Sequence, residues 1–227
     1  MRAPVSIVIP TLDAVGELPA TLGALAEGLE AGLIRELVIS DGGSGDGTLA
    51  VAEAAGGVVL TGAPGRGGQL SRGAKAAQGE WLMFLHADTH LGPGWAAAVL
   101  AHLQDHGDMA GYFALGFRAK GIAPRLVAGW ANLRARRLGL PYGDQGLLIP
   151  RALYVRCGGY PDAPLMEDVA IARALRGQLR PLGAIAFTSA TRYQQQGWLK
   201  RGARNLVTLT RYLLGTDPAK LARAYQR

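Results

Sequence analysis

Three short apolar runs, the first of them β-branched, each lead to an acidic residue, and this repetition constrains the chain more than any other feature. Val5-Ser-Ile-Val-Ile9 runs into Pro10-Thr-Leu-Asp13, Leu37-Val-Ile-Ser40 into Asp41, and Trp81-Leu-Met-Phe-Leu85 into His86-Ala-Asp88. Runs this short, with so few polar positions, predict strands buried on both faces, the pattern of a parallel sheet covered by helices. Leu18, Leu22, Leu25 and Leu29 recur at helical spacing, with Pro19 where a first turn tolerates it. Thr48 to Ala55 and Gln69 to Gln78 predict further helices, with Val58-Val-Leu60 a strand between them. The expected class is therefore α/β, with a mostly parallel central sheet flanked by helices.

Beyond residue 90 the pattern is less regular: an apolar run near Ala110 to Phe117, a helix around Pro124 to Leu138, a strand near Leu147 to Ile149, and a helix after Glu167. No internal repeat or linker interrupts the 227 residues, so a single domain is expected. No apolar stretch approaches the length of a membrane span, and the first residues read as a strand rather than a signal peptide, which makes the cytoplasm the expected location. The single cysteine, Cys157, excludes an internal disulfide framework and a thiolate metal cluster. It reads as a buried small residue.

In an open α/β sheet, ligands bind outside the carboxyl ends of the strands. Asp13, Asp41 and Asp88 all lie there, where a carboxylate can accept from a ribose or a base, or hold a cation that neutralises a diphosphate. Asp46, between glycines, reads as turn chemistry. The glycines after Asp41 do not complete a dinucleotide fingerprint: Gly43-x-Gly45 reaches Thr48 at its last position, and the acidic residue precedes the loop instead of following it. No phosphate-loop motif is present, which leaves a P-loop ATPase unsupported.

The series Ile9-Pro-Thr-Leu-Asp13, Val38-Ile-Ser-Asp-Gly-Gly-Ser44, Gly65-Arg-Gly-Gly-Gln69, Phe84-Leu-His-Ala-Asp-Thr89, Gly143-Asp-Gln-Gly146, Gly158-Gly-Tyr-Pro161 and Met166-Glu-Asp168 resembles family 2 glycosyltransferases of the GT-A fold. It is similar in particular to the short bacterial rSAM/selenodomain-associated transferases. The resemblance implies a nucleoside diphosphate sugar as donor, with uridine the favoured base, a divalent metal (Mn²⁺ or Mg²⁺), inversion at the anomeric carbon, and an acceptor of unknown identity. It implies that residues 1–90 bind the nucleotide, 91–197 carry the acceptor and catalytic groups, and 198–227 form a basic helical segment. Pro10, Thr11, Asp13, Asp41, Arg66 and Gln69 would then surround the nucleotide, and Asp88 would bind the metal. His86 stands where relatives carry another carboxylate, and either neighbours the metal or diphosphate or packs at the strand end. Asp144 and Gln145 would contact donor sugar or acceptor. Many relatives have Asn-Glu where this chain has Asp13-Ala14, so that glutamate is missing unless Glu17 substitutes. His90, His102 and His106 read as surface residues.

Glu167-Asp168 opens an apparent helix, where acidic residues are ordinary caps favourable to the dipole. The resemblance implies instead that Asp168 is the general base and Glu167 an acceptor-orienting partner. The rival classes are a sugar nucleotidyltransferase and a noncatalytic nucleotide-binding protein. The first wants a basic glycine-rich loop after strand one, where Pro10 to Gly16 has no basic residue; the second would have lost the metal carboxylate or the base.

The formal charge of +7 admits nucleic acid, an anionic membrane or a phosphorylated substrate as partner, and the positive residues concentrate at Arg118 to Arg137 and Lys200 to Arg227. Trp198, Leu199, Ala203, Leu206, Val207, Leu209, Leu213 and Leu214 fall on one helical face, with Lys200, Arg201, Arg204 and Arg211 on the other. This predicts either a helix packed on the domain with its charged face in water, or peripheral attachment to an anionic bilayer, which would suit a lipid-linked acceptor. Nucleic acid is not expected, because no binding motif accompanies the charge.

Overall fold

The first apolar run forms β1 (Val5–Thr11), the strand around which the sheet is assembled. The computed structural model describes residues 3–226. In chain order β1 is followed by α1 (Leu18–Gly23), α2 (Ala26–Glu30), β2 (Ile34–Asp41), α3 (Thr48–Ala54), β3 (Val58–Thr61), α4 (Arg66–Ala76) and β4 (Trp81–Phe84). Next come β5 (His90–Leu91), α5 (Trp95–Asp105), β6 (Ala110–Phe117), α6 (Ile122–Leu138), a 3-10 turn (Gly143–Gln145), β7 (Leu147–Pro150) and α7 (Arg151–Arg156). The chain closes with α8 (Glu167–Ala174), β8 (Leu179–Thr188), α9 (Thr191–Gln196), α10 (Trp198–Leu213) and α11 (Pro218–Gln226).

The strands make one sheet in the order β3-β2-β1-β4-β7-β6-β8-β5. The first four are mutually parallel, as their apolar runs predict. β7 enters antiparallel to both β4 and β6, β8 runs parallel to β6, and β5 closes the far edge antiparallel to β8. Alternate residues of β1 feed the two cores. Val5, Ile7 and Ile9 join Leu18, Trp95 and Val99 on one face, while Val8 joins Leu70, Phe84 and Ile149 on the other. Sheet burial on both faces is what removes polar positions from these strands.

The leucine-periodic segment forms two short helices instead of one. The chain turns at Ala24, whose carbonyl accepts the Trp95 indole N–H at 3.1 Å, and Gly28 lies against the same indole ring. α4 begins at Arg66, three residues before the expected start, and β5, α5 and β8 carry no periodicity strong enough to have predicted them. His102 is buried, with Nε2 3.0 Å from the Met109 carbonyl, a correction to its expected surface place. Cys157 is half-buried, its Sγ 3.3 Å from the Tyr154 carbonyl.

Both C-terminal helices pack on the domain, with Leu209 of α10 and Leu221 of α11 joining Leu140, Met166 and Val169 in one apolar cluster. α10 turns Arg201, Thr208 and Leu209 inward and leaves Leu199, Leu206, Val207 and Leu213 exposed. No helix among the described residues is long and apolar enough to cross a membrane.

Candidate active site

Because β7 runs against β4, its first residue, Leu147, pairs with Phe84, the last residue of β4. That reversal brings the turn Gly143–Gln145 to the same sheet edge as the carboxyl ends of β1, β2 and β4. The carboxylates predicted from strand ends and those predicted from the second half of the chain therefore meet at one edge.

Asp41 is fully buried at the end of β2. Its Oδ1 accepts the Thr11 hydroxyl at 2.8 Å and the Ser44 hydroxyl at 2.6 Å, and its Oδ2 accepts the Gly43 and Ser44 amides, each at 2.7 Å. Burial opposes the charge, but the hydroxyls of Ser44 and Thr11 and the two amides outweigh it and hold the carboxyl below its ordinary range. The Asp41 carboxylate thus fixes the loop after β2. Asp13 is exposed and ties that loop to the one after β1, accepting the Gly45 amide at 2.9 Å while its own amide donates to Ser44 Oγ at 2.9 Å. Its φ of 48° is left-handed, a conformation that aspartate adopts more readily than most residues. Pro10 is half-buried at the same strand end. Asp46 accepts the Thr48 amide within its turn, as its setting predicts, and also accepts the Val15 amide from the loop after β1.

Gln69 is buried, and its side-chain nitrogen donates to the carbonyls of Thr11 at 2.7 Å and Ser40 at 2.9 Å, clamping the ends of β1 and β2 from behind. Gln145 does the corresponding work in the second half. Also buried, it donates to the Phe113 carbonyl at 3.1 Å and accepts the Tyr142 amide at 3.3 Å. Neither side chain lies open at the edge.

Arg66 opens α4 and forms an ion pair with Glu167, the first residue of α8. Burial works against the Arg66 charge, yet Glu167, Asp168 and Asp144 around it raise its pKa above the ordinary arginine value. Glu167 is 1% exposed; burial, reinforced by the neighbouring Asp168 charge and opposed by Arg66, pushes its pKa up to about 7. Asp144 is raised to about 6, first by burial and further by Asp168 and Asp88, and its buried Oδ1 has no hydrogen-bond partner. Asp168 accepts the Gly143 amide on Oδ2 at 3.0 Å, and its Oδ1 lies 2.8 Å from the Val169 amide. Met166, just before this helix, has a left-handed φ of 65°, which swings the acidic pair toward the sheet edge at a conformational cost.

Asp88 and His86 follow β4. Asp88 Oδ2 accepts the Thr188 hydroxyl from the end of β8 at 3.2 Å. Burial and the Arg66 charge lower the His86 pKa to about 4, so its ring is neutral near pH 7. The ring sits under Gly143, where a Cβ would come within 2.5 Å of Nε2. Among the described residues no group of three or more His, Cys, Asp or Glu side chains could hold a metal ion. A cation at Asp88 fits this donor set only as one shared with oxygens from a ligand, as Mg²⁺ and Mn²⁺ beside phosphates commonly are.

Sequence reasoning missed several partners at this edge. Thr188 lies beyond any recognisable motif, and Arg118, which pairs with Glu17 at 2.6 Å, was seen only as part of a basic segment. The pairing answers where Glu17 points. Gly67 carries a packing signal that only coordinates disclose: a Cβ there would collide with the Pro161 carbonyl, in the loop leading to Glu167.

The model of the family described as Glycosyl transferase family 2 matches residues 6–141. No curated protein matches the chain. Among solved structures, glucosyl-3-phosphoglycerate synthase from Mycobacterium tuberculosis, in complex with Mn²⁺, UDP and glucosyl-3-phosphoglycerate, is similar at 21% identity over 82% of this chain and 70% of that one, with a TM-score of 0.56. TarS from S. aureus, in complex with UDP, is similar at 15% identity over 82% of this chain and 60% of that one, with a TM-score of 0.61. At such identities the likeness is one of fold.

Proposed function

The chain belongs to glycosyl transferase family 2, and from that membership we propose that it moves a sugar from a UDP-linked donor to a hydroxyl acceptor with inversion at the anomeric carbon. The observation that carries the reading is the meeting, at one sheet edge, of Asp144, Glu167 and Asp168 around the Arg66 guanidinium, with Asp88 near Asp144 and His86. The complexes of the two similar structures with UDP support uridine as the base. We place the chain with the short rSAM/selenodomain-associated transferases on its motif series.

In this reading residues 1–90 take the nucleotide, 91–197 supply the acceptor side, and 198–227 add the basic segment. Pro10, Thr11 and Asp13 line the base and ribose pocket, shaped by the Asp41-centred loop, and Gln69 braces it. Arg66 has two reasons to meet the diphosphate: its forked, permanently charged head suits phosphate, and it stands at the N-terminus of an eleven-residue helix, a favoured place for anions. Asp88 would hold the divalent cation, Mn²⁺ or Mg²⁺, with neutral His86 beside it. Such a cation, when bound, supplies charge neutralisation to the departing diphosphate.

Asp168 takes the proton from the acceptor hydroxyl as that oxygen attacks the anomeric carbon from the face opposite the diphosphate. The bond from carbon to the diphosphate oxygen breaks, and its electron pair leaves with the nucleotide. Glu167 holds Arg66 and orients the acceptor. Asp144 addresses a hydroxyl of sugar or acceptor, with Gln145 positioning its turn. Melting-temperature shifts with UDP and other nucleoside diphosphates, with and without Mn²⁺, test the reading, and the absence of any shift with UDP in both conditions would refute it.

A further inference from the structure

Two neighbouring helices, α6 and α10, expose apolar residues that a soluble domain ordinarily covers. On α6 the exposed residues Ile122 (76%), Leu126, Trp130 and Leu133 recur at spacings of three and four, so they form one stripe along the helix. On α10, Leu199 is 91% exposed, and Leu206, Val207 and Leu213 are exposed with it. The opposite side of α10 is held down by polar and aromatic contacts. Arg201 donates to Gln196 at 2.9 Å and to the Tyr225 hydroxyl at 3.2 Å, and Asn205 donates to the Tyr193 hydroxyl at 3.0 Å. The helix is therefore anchored by a largely polar side, to which Leu209 and Trp198 add apolar contacts.

Charge identifies what covers this surface. Neither α6 nor α10 contains an acidic residue. Arg125 and Arg136 are exposed beside the α6 stripe, and Lys200 and Arg211 beside that of α10. In a two-fold pairing of this face with a second copy, the same patch meets itself and sets arginine rows against arginine rows. An anionic bilayer takes both features at once: the aliphatic side chains enter the acyl boundary, Trp130 sits at headgroup level, and the basic residues meet lipid phosphates. We propose that the α6 and α10 face docks the protein peripherally on an anionic lipid surface. Docking needs neither donor nor metal, so its failure and that of the transferase reading are separate results.

The test is sedimentation of the full chain with vesicles of phosphatidylcholine, alone and mixed with phosphatidylglycerol. The parent should sediment with the mixed vesicles, and added salt should weaken the binding. The double variant Leu199→Gln, Leu206→Gln should bind about tenfold more weakly, since both side chains leave the apolar face. Lys200→Gln with Arg211→Gln should bind more weakly at low salt and lose most of the salt dependence. All four positions are exposed, so unchanged melting temperatures are expected of both variants. Failure of the parent to sediment with anionic vesicles would overturn the proposal. So would equal binding by the leucine variant, or a dimer that the leucine variant dissociates in a protein that ignores vesicles.

Discussion

Arg66 and Glu167, the first residues of α4 and α8, form an ion pair that joins two helix starts across the sheet edge. A guanidinium in a first helical turn opposes the helix dipole, and a carboxylate there complements it. Glu167 thus offsets the unfavourable place of Arg66, and Arg66 offsets part of the burial of Glu167.

Burial of Glu167 predicts a pH signature. The folded chain holds its proton up to about pH 7, whereas an ordinary glutamate releases it near 4.5. Between these values the folded state binds more protons than the unfolded state, so this contribution is full below 4.5 and is lost as pH rises through 7. Asp144, raised to about 6, acts with the same sign, so the informative quantity is the difference between parent and variant. Melting temperatures across this range should fall less steeply with pH for Glu167→Gln. Parallel curves would refute the assignment.

Asp168→Asn separates catalysis from capping. Losing a general base costs about 10² to 10⁴ in rate, whereas losing a favourable charge at a helix start costs about 0.3 to 1 kcal/mol of stability. The variant should fold, bind UDP as the parent does and transfer sugar far more slowly. Near-parental turnover would leave the residue as a cap.

Asp88→Asn should remove the part of UDP binding that depends on divalent cation. Its Thr188 partner can still donate to the amide oxygen, so the fold should persist. Titration calorimetry with and without Mn²⁺ reads the effect, and a metal response equal to that of the parent would sink the role of Asp88.

Gly67→Ala forces a methyl group against the Pro161 backbone carbonyl, which cannot swing aside as a side chain would. A destabilisation of about 1 to 3 kcal/mol is expected from such overpacking, together with weaker UDP binding as Arg66 and Glu167 are pushed apart. Chemical denaturation measures the first effect. An unchanged midpoint would mean that the loop yields freely.

The parallel strands, the helices between them and the acidic residues at their ends were legible because each depends on local periodicity: Ile7 and Ile9 face one core and Val8 the other, whatever else the chain does. The pairing of Leu147 with Phe84 was not legible, since a short apolar run such as Leu147 to Ile149 carries no direction, and direction alone brings Asp144 to the site. The place of Gln69 and Gln145 behind the edge, and the hold of Thr188 on Asp88, likewise depend on contacts between residues distant in sequence. For α10 the sequence determined that an apolar and a basic face exist, and only tertiary packing decided that Leu199, Leu206 and Val207 meet water while Arg201 is drawn inward. Periodicity fixes the angles of side chains around a helix axis, but the rotation of that axis is set by its neighbours, here Gln196, Tyr193 and Tyr225 gripping Arg201 and Asn205.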